Sequence, residues 1–545
     1  MTILFQEYEL LVGSGLFDPD YYLQANPDLS VLNTDPLIHY LERGCREGRD
    51  PSAGFDTSHY LSQCQELQET PENPLLHYLT VGAGRGLSPR PGSSGVSATT
   101  PTSTLLRRDT LATLSSPVSM EIDLGIACAP HGVFLRGWLL APPGCIRAVR
   151  VRCGEQSGEL VLSRSLRVAR PDVLAEASRK LGSSDANCGF IAFVPMVIAS
   201  GQITSSLEVQ LTSGETGFKN LTLIAQPGLE AIRQALDGIE LASGDLDRVF
   251  DHILGPAVTA INSARLQTRP PAARLEFGSA PHEPLCTLIV TLYGRVDFLE
   301  HQMALFSRRR HGMDFEIIYV LDDPSKRGEL EALALSVFER FQIPFCVLSL
   351  AVNMGFAPAN NAGLAVARGR YICFLNSDVM PIHDDWLERL IDTLERNSGI
   401  GAVGARLLFE DGSIQHEGCC YRPLRQFANW TFIEHNNKGR RPNSGRSLER
   451  CEAITGACLV MQRSLASELG GFDEAFIIGD FEDSDLCLRL KARGLGCAVQ
   501  QDVQLYHLER KSQAAASEGW RFNLTLYNAW LHERRWFGKT RAAGG

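Results

Sequence analysis

The spacing of apolar positions changes character twice along this 545-residue chain. Between residues 118 and 227, apolar and polar residues alternate in short runs at 120–124, 133–140, 146–153, 159–163, 189–194, 207–212 and 221–225, separated by turn formers such as Pro142-Pro143-Gly144 and Ser213-Gly214. A period of two over so few residues buries one face of a strand, and about seven such runs predict a β-sandwich. From 284 to 545 the pattern differs. Near-continuous apolar runs at 286–292, 316–321, 344–350, 371–375 and 401–408 alternate with helical patterns at 296–309, 329–341, 358–367 and 384–395. Strands buried on both faces with amphipathic helices between them predict an α/β domain on a mostly parallel sheet. Residues 228–283, helical in pattern and closing on Arg269-Pro270-Pro271, read as a helical connector.

Ahead of these lies an internal repeat over 1–91. Phe17-Asp18 recurs as Phe55-Asp56, Tyr22-Leu23 as Tyr60-Leu61, and His39-Tyr40-Leu41 as His77-Tyr78-Leu79. Gly44, Gly48 and Pro51 recur as Gly82, Gly86 and Pro89, every pair 38 residues apart. One small helical unit is therefore used twice. In each, Asp35-Pro36 or Asn73-Pro74 opens a short helix and a glycine closes it. His39 and His77 read as packing positions that each unit reuses. Residues 92–117 are rich in Ser, Thr, Gly and Pro and read as a flexible linker.

Composition adds exclusions. A net charge of −11 gives no reason to expect a nucleic-acid partner. Apolar content of 44% is that of a water-soluble globular chain. The longest apolar stretch, near 189–199, is shorter than the roughly 20 residues of a spanning helix. The first residues lack a basic leader and apolar core, so a cytoplasmic protein is expected, with peripheral attachment at the inner membrane face left open. Fifteen cysteines without a CxxC pair read as buried thiols.

In an open α/β sheet, ligands bind beyond the carboxyl ends of the strands, so the polar residues that follow each apolar run are the candidates. They are Asp322-Asp323-Pro324-Ser325, then Asn353-Met354-Gly355-Phe356-Ala357 with Asn360-Asn361-Ala362-Gly363, then Asn376-Ser377-Asp378. Each alone has the look of a turn. Three in succession along one sheet edge suggest a shared polar site. Further on, Gly470-Gly471-Phe472-Asp473-Glu474 precedes Phe481-Glu482-Asp483-Ser484-Asp485, which opens a helix, and Leu505-Tyr506-His507 follows a late strand. In the sandwich, Trp138 either packs in the core or stacks on a sugar ring.

These motifs, in this order, resemble glycosyltransferase family 2, over about 284–537. The resemblance implies the GT-A fold, a Rossmann-like nucleotide-diphospho-sugar transferase, and the bacterial multidomain type with N-terminal helical repeats. It implies an inverting, metal-dependent transfer from a UDP- or dTDP-linked sugar to an acceptor hydroxyl on a surface glycan or its lipid-linked precursor. By the same resemblance, Asp322 meets the nucleotide base, with Asn353, Gly355, Asn360 and Asn376 lining the donor site. Asp378 and His507 would hold Mn²⁺ or Mg²⁺. Asn376 stands where many members have the first Asp of an Asp-x-Asp motif, which removes one formal charge. Asp483 takes the place of the catalytic base, with Asp485 in reserve and Glu482 or Asp485 orienting the acceptor. Two other readings remain at this stage: a glycan-binding scaffold that has lost activity, and a nucleotidyltransferase that releases pyrophosphate.

Overall fold

The computed structural model describes residues 11, 16–27, 29, 36–64, 73–79, 87–91, 109–173, 187–198, 205–225, 228–308, 315–443, 447–508 and 519–538. The chain forms two compact units, 1–105 and 106–545. In the first, the repeat is visible as repeated contacts. Asp18 and Asp56 cap the helices Pro19–Ala25 and Thr57–Gln63 by accepting from Tyr21 and His59 backbone N–H groups at 3.0 and 2.7 Å. The Tyr22 hydroxyl lies 3.1 Å from His39 Nδ1, and Tyr60 lies 2.8 Å from His77 Nδ1. The tyrosine–histidine pair is thus the packing device that each unit reuses. Gly82 and Gly86 lie outside the described residues, as do 92–108 of the expected linker. That linker ends earlier than 117, because Leu111 is buried in the sandwich and Ser115 donates to Glu215.

The second unit opens with eight strands: β1 (Ser119–Cys128), β2 (Gly132–Leu140), β3 (Ile146–Cys153), β4 (Gln156–Glu159), β5 (Leu166–Val168), β6 (Gly189–Pro195), β7 (Ser205–Leu211) and β8 (Thr216–Leu221). They form two four-stranded antiparallel sheets, ordered β1-β2-β6-β5 and β4-β3-β7-β8, around a core that includes Val133, Leu135, Val151, Phe190 and Leu207. Three details differ from the sequence pattern. β5 is too short to show alternation, β4 precedes 159–163, and the last strand lies before 221–225. Trp138 packs on Leu140, Val173 and Cys188.

Residues 228–283 are more than a connector. The helices Leu229–Leu236 and Gly255–Gln267 share one core with Phe134 and Ile191 of the sandwich and with Leu524 and Tyr527 of the last helix, Gly519–Trp536. Their apolar faces join the sandwich to the catalytic sheet. The end of the segment is itself a strand of that sheet, β9 (Ala273–Phe277), so the α/β domain begins before 284.

The remaining strands are β10 (Cys286–Leu292), β11 (Phe315–Leu321), β12 (Phe345–Ser349), β13 (Tyr371–Asn376), β14 (Val379–Pro381), β15 (Ile400–Leu408), β16 (Ile414–His416), β17 (Cys419–Leu424), β18 (Trp430–His435), β19 (Leu448–Cys451), β20 (Cys458–Gln462) and β21 (Gly496–His507). The main path runs β14-β21-β15-β20-β13-β10-β11-β12-β9. β13, β10, β11 and β12 are mutually parallel, whereas β20 is antiparallel to both β13 and β15. This is a mixed α/β sheet at the C-terminal end of the chain. β10 to β13 are nearly all buried, which accounts for their unbroken apolar runs. No helix among the described residues is long and apolar enough to cross a membrane.

Candidate active site

β10 sits centrally, with β11 on one side and β13 on the other, so the chain reverses direction across the sheet at β10. Such a switch point leaves a crevice at the carboxyl strand ends. Three loops meet there: Tyr293-Gly294-Arg295 after β10, Asp322-Asp323 after β11, and Ser377-Asp378 after β13.

Asp322 is 5% exposed, and its two oxygens accept the backbone N–H groups of Met354 and Gly355 at 2.6 and 2.7 Å. Burial pushes its carboxyl up to about 7, against the lowering pull of those two bonds and of Arg265. Arg265 in turn donates to the carbonyls of Asn353 and Met354, both at 3.2 Å. Asp322 thereby fixes the Asn353–Gly355 loop from within rather than standing free in the crevice. Gly355 has φ +91°, and an added Cβ would lie 2.8 Å from Ile478 Cα, so only glycine fits there. Asn353 keeps a buried Oδ1 without a hydrogen-bond partner at the crevice. Asn360, by contrast, is 1% exposed and donates to the Phe356 carbonyl one turn back, so it serves its own helix, Phe356–Val366. Tyr293, which residue type alone overlooks, and Asp323 complete this end of the crevice. Tyr293 is 47% exposed, and its hydroxyl pKa is raised by burial and then by the Asp323 and Asp322 carboxylates. Asp323 accepts from Gly294 N–H at 3.3 Å and from the Ser325 hydroxyl at 2.6 Å. An exposed aromatic directly after an apolar strand is the signal that marks Tyr293.

Asp378 and His507 come together because β14 pairs with β21, Val379 opposite His507. The Leu508 N–H also donates to the Asp378 carbonyl at 3.0 Å. His507 Nε2 lies 3.4 Å from Asp378 Oδ1, both side chains being buried. His507 Nδ1 and Asn376 Oδ1 are buried without hydrogen-bond partners. A carboxyl oxygen beside an imidazole nitrogen, with the unsatisfied Asn376 Oδ1 two residues before Asp378, is a donor set that fits a divalent cation of the Mn²⁺ or Mg²⁺ kind. Arg295 is close enough to feel the Asp378 charge, and it is held by Asp297.

The acidic segment arrives through an unusual backbone. Ile478, Asp480 and Phe481 have φ of +65°, +93° and +73°, a strained run that costs about 1–3 kcal/mol per residue. It delivers the helix Glu482–Ala492 with its first turn turned inward. Asp483 accepts from Gly456 N–H at 3.0 Å through Oδ2 and from Ser484 N–H at 2.7 Å through Oδ1. Burial raises its pKa, and those N–H bonds oppose the rise. Asp483 borders a cavity of about 250 Å³ with Phe432, His435, Asp480 and Thr525. Glu482 is buried with one carboxyl oxygen unpartnered, and burial followed by the nearby Asp483 charge holds its pKa well above the usual carboxylate range. Asp485 is placed differently. It accepts from Arg489 Nε and Arg535 Nη1 at 2.7 Å each and from Trp536 Nε1 at 2.9 Å, with its side chain wholly buried. It anchors the last helix and does not reach the cavity lining, which argues against a reserve base or an acceptor contact.

The two halves are joined by backbone. Asn376 N–H donates to the Ala457 carbonyl at 2.9 Å, and the neighbouring Gly456 N–H holds Asp483. The loop that carries Asp378 and the carboxylate of Asp483 are therefore one short hydrogen-bonded span apart.

Residues 287–447 match the model of a family described as glycosyl transferase family 2. The chain is 29% identical over 234 residues to protein y4gI of Sinorhizobium fredii, covering 42% of this chain and 25% of that protein. It is 28% identical over 254 residues to the O-antigen biosynthesis protein RfbC of Myxococcus xanthus, covering 46% and 19%. The matched part thus spans a quarter or less of these relatives. Among solved structures, the mannosyltransferase PcManGT of Pyrobaculum calidifontis, in complex with GDP-Man and Mn²⁺, aligns with a TM-score of 0.33 and 17% identity over 56% of this chain and 76% of that one. The match to glycosyl transferase family 2 thus falls on the part of the C-terminal domain whose strand-end motifs assemble at the switch point of the mixed sheet.

Proposed function

We propose that the C-terminal domain transfers a sugar from a nucleoside diphosphate sugar to an acceptor hydroxyl in one displacement, with inversion at the anomeric carbon. The observation that carries this reading is the backbone span through Asn376, Ala457 and Gly456. It sets a paired Asp378 and His507 next to a half-buried carboxylate, Asp483. In this reading Tyr293 and Asp323 face the base, Asp322 stiffens the Asn353–Gly355 loop, and Asn353 and Asn376 line the donor site. Asp378 and His507 would hold Mn²⁺ or Mg²⁺, and a cation bound there would supply positive charge to the departing nucleoside diphosphate. Asp483 takes the proton of the acceptor hydroxyl as its oxygen bonds to the anomeric carbon and the bond from that carbon to the phosphate oxygen breaks. A raised pKa suits this work, since a base nearer neutrality accepts the proton more readily. Glu482, with its unpartnered oxygen, orients the acceptor.

The relation to a protein named for O-antigen biosynthesis supports a surface glycan or its precursor as acceptor. The sandwich and the repeats are accessory in this reading. The test is a panel of nucleotide sugars assayed for nucleoside diphosphate release with Mn²⁺, Mg²⁺ or EDTA. Release that EDTA abolishes, and that Asp378→Ala and Asp483→Asn each suppress, is expected. No release with any donor, or pyrophosphate in its place, would sink the proposal.

A further inference from the structure

Two histidines outside the assigned site touch in the interior. β16 ends on His416 and β18 ends on His435, and their Nδ1 atoms lie 2.9 Å apart. Cys419 Sγ lies 3.7 and 3.8 Å from the same two nitrogens. The three atoms are close enough together to share a metal ion. The far side of His416 speaks against one. Its Nε2 receives two backbone N–H groups, from Gly418 at 3.2 Å and from Thr455 at 3.4 Å. A neutral imidazole that coordinates through Nδ1 carries its proton on Nε2. That proton would point into two donors, so coordination would require the ring to give up both protons.

The same contacts fix the protons without a metal. With Nε2 of His416 accepting, its single proton sits on Nδ1 and is donated to Nδ1 of His435. His435 then carries its own proton on Nε2. Burial holds the His416 pKa well below its ordinary value, so that ring stays neutral. Position gives this arrangement a use. His435 lines the cavity of about 250 Å³ that Asp483 also lines. It also lines a neighbouring one of about 670 Å³ whose wall includes Glu417, Glu434, Asn436 and Asn437 together with Arg422 and Arg440. Thr455 and Gly456 are consecutive, the first N–H holding His416 and the second holding Asp483.

We infer that His435 binds the saccharide acceptor, donating from Nε2 to a hydroxyl oxygen at the junction of the two cavities, and that His416 is the positioning residue that sets its tautomer. This rests on the transferase reading and names how the acceptor is held. The larger cavity, walled by carboxylates, side-chain amides and the Arg422 and Arg440 guanidinium groups, takes the neighbouring sugar unit of the glycan.

The first test needs no activity. In the full chain labelled with ¹⁵N-histidine, two-bond ¹H–¹⁵N correlations should show His416 as the Nδ1–H tautomer and His435 as the Nε2–H tautomer, assigned with His416→Asn and His435→Asn. An Nε2–H form of His416, or stoichiometric zinc whose removal shifts both rings, overturns the inference. The second test uses methyl hexosides as acceptors with the donor found active for the wild-type protein. His435→Ala and His416→Ala should each raise the acceptor KM about five- to tenfold, the scale of one neutral hydrogen bond. Affinity for UDP with Mn²⁺ should hold in both variants. His416→Asn, which keeps a donor at the Nδ1 position, should recover most of the loss. An unchanged KM in His435→Ala overturns the acceptor role while leaving the transferase reading intact. A wild-type protein that turns over no donor defeats that reading and the acceptor role with it, whereas the tautomers are read independently.

Discussion

Asp322→Asn keeps the outline of the side chain and removes half of what it does. Both carboxyl oxygens accept backbone N–H groups in a buried setting, Met354 at 2.6 Å and Gly355 at 2.7 Å. An asparagine amide offers one oxygen, and its NH₂ meets the second N–H as donor against donor. Leaving one buried N–H without an acceptor costs about 1–3 kcal/mol. In a unit as large as 106–545, each kcal/mol lowers Tm by at most about 2–4 °C, so a fall of no more than about 12 °C is expected. The pH adds a sign. Burial places the folded-state pKa at about 7, above the roughly 3.9 of an unfolded aspartate. The stability linked to this group is therefore full below about pH 4 and is lost as pH rises through about 7. Asparagine does not titrate, so the lead of the wild-type protein over the variant should narrow between pH 5.5 and pH 8. Thermal unfolding at both pH values, with UDP affinity measured alongside, is the assay. Equal stability at both, or a lead that widens with pH, would refute the placement of Asp322 as the holder of the Asn353–Gly355 loop.

Asp483→Asn should lower kcat by about 10²–10⁴, the usual worth of a general base, and remove the acid limb of the pH–rate profile; a variant of near wild-type rate shows that the base lies elsewhere. Asp485→Asn should act on stability instead, because it leaves Arg489 and Arg535 short of a buried carboxylate; a loss of about 3–5 kcal/mol in denaturant unfolding is expected, and a folded protein with only kcat reduced would contradict its structural role. Gly355→Ala forces a left-handed alanine into Ile478 and should cost about 2–4 kcal/mol with weakened UDP binding, whereas an unaffected variant would mean that the loop has room the geometry denies.

Much of the catalytic half was legible in the chain because its signals are local. Apolar runs on doubly buried strands marked β10, β11, β12, β13 and β15, and the polar residues after them fell where a switch-point sheet puts its ligands. What stayed hidden depends on which neighbour arrives from elsewhere. Asp322 and Asp485 look alike as acids after a strand or in a first helical turn. Their work is set by Met354 and Gly355 in one case, and by Arg535 and Trp536, some 50 residues downstream, in the other. The helical pattern over 228–267 showed an apolar face but not its cover, which is the sandwich on one side and the last helix on the other. β9 gave no alternating signal because it is a largely exposed edge strand. His416 and His435 sit 19 residues apart on short strands, a spacing with no period of its own, and only the fold makes them neighbours.

The measurement that bears most directly on the central claim is a crystal structure of the protein with UDP and Mn²⁺. The account predicts the ion between Asp378 and His507 in contact with the diphosphate, uracil against Tyr293 and Asp323, and Asp483 facing the space beyond the β-phosphate. Mn²⁺ bound instead at His416, Cys419 and His435, or UDP seated away from the ends of β10, β11 and β13, would contradict it.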